Sequence, residues 1–127
     1  MPTPSAGRRL LLVEDEGAFR ELLCAFLEAE GYGVYSVGDG GSALRWLKAN
    51  PVDMVITDLC MPDSDGMELL MALRKIRSTG PIIVISGGVG AHVLSLLRAA
   101  VLLGARRTLA KPFSLQELAK VVRDVLR

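Results

Sequence analysis

Five residues of this chain can do chemistry, and each stands directly after a short strand-like run: Glu14 and Asp15 after Leu10 to Val13, Asp58 after Val52 to Thr57, Ser86 after Ile82 to Ile85, and Lys111 after Arg107 to Ala110. Three carboxylates brought together without a cation repel and raise one another's pKa, so such a set calls for a bound ion. Oxygen ligands that leave room for water and phosphate suit Mg²⁺, which keeps several waters and uses one or two carboxylates. Lys111 adds a point positive charge and Ser86 a hydroxyl, each able to hold a phosphoryl oxygen. A carboxylate nucleophile, a divalent ion, a lysine and a hydroxyl make an aspartyl-phosphate site, where catalysis is mostly positioning and charge neutralisation.

These residues converge only if the runs before them are strands that share an edge. The run Val52 to Thr57 is rich in β-branched residues, as suits a strand buried on both faces, and a carboxylate at its end must open into a cleft. Strands are expected at Leu10 to Val13, Val34 to Val37, Val52 to Thr57, Ile82 to Ile85 and Arg107 to Ala110. Helices are expected at 18–30, from Phe19, Leu22, Leu23, Phe26 and Leu27 at helical spacing with Cys24 off the stripe, and after Gly38, around Ala43, Leu44 and Leu47. Three more are expected at 67–77, 91–103 and 114–126, the last opened by Ser114 with Glu117 as a capping box. Five alternations of strand and helix with short connections imply right-handed crossovers and an α/β fold, a (βα)5 doubly wound parallel sheet covered on both faces. Residues 1–7, rich in Pro, Ser and Thr, read as a flexible tail before a single domain at 8–127.

The segments Leu12-Val13-Glu14-Asp15-Glu16, Asp58-Leu59-Cys60-Met61-Pro62-Asp63-Ser64-Asp65-Gly66, Ser86 and Lys111-Pro112-Phe113 resemble the response regulator receiver domains of two-component signalling. The resemblance implies a flavodoxin-like sheet in the order 2-1-3-4-5, one of the two doubly wound orders. It also implies that Asp58 is the phosphoacceptor, that Asp15, Asp58 and the backbone carbonyl of Cys60 ligate Mg²⁺ directly, and that Glu14 acts through water. Ser86 and Lys111 would hold phosphoryl oxygens, and the Lys111–Pro112 bond would be cis. A histidine kinase or phosphotransfer protein would supply the phosphoryl group. The chain would catalyse only its own phosphorylation and dephosphorylation, and would be no enzyme otherwise.

Two departures from that pattern matter. Thr108 stands three residues before Lys111, where receivers usually carry a Tyr or Phe whose rotation reports phosphorylation. The interval from Ser86 to Lys111 is longer than in many relatives by about one helical turn, and Ser86 is followed by Gly87-Gly88, a loop expected to be mobile and to carry the response instead. The helix at 91–103 is apolar nearly all round, with only His92, Ser95 and Arg98 polar. An apolar side left facing water usually marks a contact surface, so the 91–110 surface is the expected contact for a target protein or a homodimer.

Lys and Arg number 15 against 14 Asp and Glu, a formal net charge of +1, so no global field steers the chain to nucleic acid or an anionic membrane. No run is long enough to span a bilayer, and Cys24 and Cys60 have neither a CxxC nor a secretory spacing, which fits a reduced cytoplasmic protein. A flavin-binding rival fails because Glu14-Asp15-Glu16 would repel the phosphate. The GxGxxA-like stretch Gly38 to Ala43 follows the second strand, the wrong one for a dinucleotide. An EF-hand centred on Gly66 would need Met61 and Ala72 as calcium ligands. A phosphatase would need an acid two residues after Asp58, where Cys60 stands. Two alternatives remain open: an interaction module that does not depend on phosphorylation, and the receiver portion of a longer regulator.

Overall fold

The computed structural model describes residues 7–59, 66–76, 79–87 and 91–127, with residues 66 and 91–95 described by backbone alone. The expected tail, apart from Gly7, and the expected Cys60 carbonyl ligand lie outside the described residues, as do Asp63, Ser64, Asp65 and Gly88. Strands β1 (Arg9–Val13), β2 (Gly33–Val37), β3 (Met54–Asp58), β4 (Ile82–Ser86) and β5 (Arg107–Ala110) alternate with helices α1 (Gly17–Ala29), α2 (Gly40–Leu47), α3 (Gly66–Arg74), α4 (Ala91–Leu102) and α5 (Leu115–Leu126). All pairings are parallel, in the order β2-β1-β3-β4-β5, as the resemblance implies. No described helix is long and apolar enough to cross a membrane.

Strand residues alternate faces, so each buried strand contributes to two cores at once. Leu11, Val13, Val55, Ile82 and Val84 point to one side, where Ala43 and Leu47 of α2, Leu70 and Leu73 of α3, and Leu97 and Ala100 of α4 cover them. Leu10, Leu12, Met54, Ile56, Ile83 and Ile85 point to the other, under Leu23 and Leu27 of α1 and Leu118, Val121 and Val122 of α5. Burying each such side chain is worth about 1.5–3 kcal/mol. That is why β3 and β4, buried along their whole length, are apolar but for Thr57 until their last residues, Asp58 and Ser86.

Three helix entries are set by side-chain caps. Glu16 accepts hydrogen bonds from Ala18 N at 3.2 Å and Phe19 N at 2.7 Å, Asp39 accepts from Ser42 N at 2.7 Å, and the expected capping box of Ser114 and Glu117 is present. Gly31, at φ +101°, lets the chain leave α1 through a left-handed turn closed to most other residues.

Two side-chain assignments made from periodicity are corrected. Leu22 is 51% exposed, whereas Cys24 packs against the core, so the buried stripe of α1 is centred on Leu23 and Leu27. Arg20, on the same side of the helix, donates from Nη1 to the Glu14 carbonyl at 2.7 Å. In α4, Leu96 packs against the core, while Val101 and Leu102 are 51% and 88% exposed.

Candidate functional site

The five sequence-predicted residues within the described part of the chain come to one edge of the sheet. Glu14 follows β1 and extends its ladder, its N–H donating to the Val37 carbonyl at 3.0 Å. Asp58 closes β3 beside Ile85, and Ser86 closes β4 beside Ala110. Lys111 N–H donates to the Ser86 carbonyl at 2.7 Å, which fixes the base of the lysine next to the end of β4. The Lys111–Pro112 bond is cis.

From that base the Lys111 ammonium reaches both buried carboxylates, donating to Asp58 Oδ2 at 2.7 Å and Glu14 Oε1 at 2.8 Å. Asp58 and Glu14 are almost wholly buried, Lys111 is partly exposed, and Asp15 is exposed. Burial pushes the Glu14 carboxyl above its ordinary value, and the hydrogen bonds from Lys111 and Glu16 N only partly oppose it. The same burial pulls the Lys111 ammonium down, but its hydrogen bonds to Asp58 and Glu14 outweigh that, and its pKa ends above the usual lysine value.

Oxygen atoms of Glu14, Asp15 and Asp58 lie within 4.8 Å of one another. Three carboxylates against one ammonium leave two negative charges in excess, the amount a divalent cation neutralises. All three donors are hard oxygens, which suits Mg²⁺ or Ca²⁺ over softer metals. Glu14 is the least available for direct ligation, since Oε1 accepts from Lys111 and Oε2 accepts from Glu16 N at 3.1 Å.

Sequence reasoning assigned Phe19 to the core and missed its second contact. Lys111 Nζ sits 4.7 Å from the Phe19 ring centroid, and that ring meets Phe113 at 6.1 Å in a tilted pair. A ring beneath an ammonium attracts it electrostatically while keeping water from one side. Its place in the first turn of the helix that leaves the acidic loop put Phe19 near the site, but nothing local named Lys111 as its partner. A Cβ at Gly87 would lie 3.2 Å from Lys111 Cδ, so the glycine also makes room for the lysine. Thr108 stands opposite Val84 on the side covered by α4, with no ring to rotate.

Residues 10–123 match the response regulator receiver domain family. The chain is 39% identical over 124 residues to response regulator MprA of Mycobacterium sp. strain KMS, covering 94% of this chain and 50% of that protein. It is 35% identical over 117 residues to the DNA-binding transcriptional regulator NtrC of Azospirillum brasilense, covering 92% of this chain and 24% of that protein. It thus spans half or less of these curated relatives. Among solved structures, chemotaxis response regulator CheY4 of Vibrio cholerae superposes with a TM-score of 0.80 at 28% identity, covering 93% of this chain and 98% of that one.

Proposed function

The chain belongs to the response regulator receiver domain family, and from that premise we propose that Asp58 accepts a phosphoryl group from a histidine kinase or phosphotransfer protein in the cytoplasm. A carboxylate oxygen of Asp58 would attack phosphorus as the bond to the donor nitrogen breaks, the electron pair leaving with that nitrogen. The observation that carries this reading is the Lys111 ammonium 2.7 Å from Asp58 Oδ2, beside two further carboxylates at the open edge of the sheet. Lys111 supplies positive charge where phosphoryl oxygens would gather, and its link to Glu14 keeps it there when Asp58 turns to the donor. Ser86 would hold a second phosphoryl oxygen. Asp15, Asp58 and the Cys60 carbonyl would hold Mg²⁺, with Glu14 acting through water; bound there, the ion would neutralise charge on the phosphoryl oxygens. The receiver unit would run from 8 to 127 and pass its signal to a target protein or a second copy through the 91–110 surface, with no nucleic acid contact of its own.

The test is incubation with acetyl phosphate, with and without Mg²⁺, read by intact mass, alongside beryllofluoride binding followed by NMR. One phosphoryl group per chain, dependent on Mg²⁺ and absent from Asp58→Asn, is expected. Phosphorylation that persists in Asp58→Asn would overturn the assignment. A wild-type chain that takes no phosphoryl group under any condition would favour an interaction module independent of phosphorylation.

A further inference from the structure

The sheet edge opposite the carboxylates gathers charge of the other sign. Between the end of α3, the turn into β4 and the turn from α4 to β5 lies a cleft of about 270 Å³, lined by Arg74, Thr79, Gly80, Ile82, Gly104 and Arg106 among others, none of them acidic. Arg74 lies across the α4–β5 turn, with Nη1 donating to the Gly104 carbonyl at 3.3 Å. Gly104 suits the turn through its φ of +109°, and the Arg74 guanidinium lies against it in the space that a Cβ would take. Arg106 is held through its backbone, its N–H donating to the Ile82 carbonyl at 2.8 Å, and its side chain is exposed. Across the cleft the buried Thr79 hydroxyl donates to the Gly80 carbonyl at 2.9 Å. Gly80, at φ +63°, packs so tightly on the Asp53 carbonyl that no Cβ fits. Backbone contacts thus fix the walls, and neither arginine forms an ion pair among the described residues.

A simpler account would have each arginine answer a helix dipole, since Arg74 is in the last turn of α3 and Arg106 follows α4. A helix C-terminus is worth about half a negative charge. Two guanidinium groups therefore exceed two helix ends by about one positive charge, and helix capping does not explain why both line one cavity. We propose that this cleft binds a small phosphate-bearing anion, for which planar guanidinium groups are the matching donors. The five residues of β4 put it about 16 Å from the Asp58 edge. Without Mg²⁺ that edge, with two negative charges in excess, would repel the same ligand, so the two sites are distinguishable.

The test is a titration of the ¹⁵N-labelled chain with inorganic phosphate and, separately, with adenosine monophosphate, in Mg²⁺-free buffer at ionic strength held constant with NaCl. Saturable shifts centred on the amides of Gly80, Ile82, Gly104 and Arg106 are expected. Arg106→Gln should weaken binding about tenfold, and Arg74→Gln with Arg106→Gln should abolish it. Arg106→Gln alone decides the matter if Arg74→Gln disturbs the turn. Cosedimentation with phosphatidylglycerol vesicles, lost in the double variant while soluble phosphates give no shifts, would support the cleft and assign the phosphate to a lipid headgroup. Shifts that do not saturate, that centre elsewhere on the chain, or that survive in the double variant, or an absence of both shifts and cosedimentation, would overturn the proposal.

Discussion

The two faces of the sheet are built from the same strands yet serve the phosphorylation edge differently. Strand alternation gives Asp58 to the face of Met54 and Ile56, under α1 and α5, where Phe19 and Phe113 brace Lys111. It gives Ser86 and Thr108 to the face of Val84, under α2, α3 and α4. The first face holds the acceptor and its counter-charge in a fixed arrangement. The second carries the small polar residues, and its helices leave Met71, Val101 and Leu102 exposed. Under the proposed function, chemistry would be anchored on one face and the contact surface offered by the other.

The largest expected effect breaks the anchoring face. Lys111→Ala leaves Glu14 and Asp58 facing each other with no ammonium, and phosphorylation by acetyl phosphate should slow by about two orders of magnitude. The same variant should lose about 2 kcal/mol in urea melts without Mg²⁺, since the pair is only partly screened, and regain part of it when Mg²⁺ is added. An unchanged rate would mean that the lysine serves the fold alone.

A smaller change sharpens the same face. Phe19→Leu keeps apolar bulk but removes the ring beneath Lys111, and should slow phosphorylation about threefold to fivefold, the worth of one partly exposed cation–π contact. Phe19→Tyr keeps the ring and should restore the rate. Equal losses in both variants would point to core packing instead.

On the other face, Leu102→Glu should change stability by no more than about 0.5 kcal/mol while reducing self-association or target binding in sedimentation runs with beryllofluoride. Leu96 is unsuited to this test because it packs inward. A melting temperature lowered by many degrees would show that Leu102 is covered.

The smallest effect concerns the cap of α2. Hydrogen bonds from Ser42 hold the Asp39 carboxyl below its ordinary 3.8. Its folded pKa is lowered, so its contribution is present above pH 3.8 and fades as pH falls through the lowered value. Asp39→Asn should therefore flatten the acid limb of the melting curve and change little at pH 7.

The topology was legible because five strand-like runs alternate with helical ones, and four of them lead into a polar residue that a buried sheet tolerates only at its open edge. The convergence of Glu14, Asp15, Asp58, Ser86 and Lys111 followed from that. What escaped was sideways information. Periodicity cannot tell that Arg20 reaches back to the Glu14 carbonyl, or that the buried side of α1 takes in Cys24 and leaves out Leu22. Nor can it tell that Glu16, read as one of three acids, caps the helix. Phe19 and Gly87 matter through contacts with Lys111, more than twenty residues from either in the chain, and no local pattern encodes such a meeting.

The one tryptophan of the chain, Trp46, stacks on Tyr35 of the edge strand β2 with ring centroids 4.5 Å apart and planes 7° from parallel. It sits near the end of α2 that points away from the acidic edge. Its emission therefore senses the fraying of one sheet border, and should be nearly blind to events at Asp58. Fluorescence and circular dichroism should give coincident melts if α2 and β2 unfold with the rest. An earlier fluorescence transition would identify that border as the first part of the sheet to open.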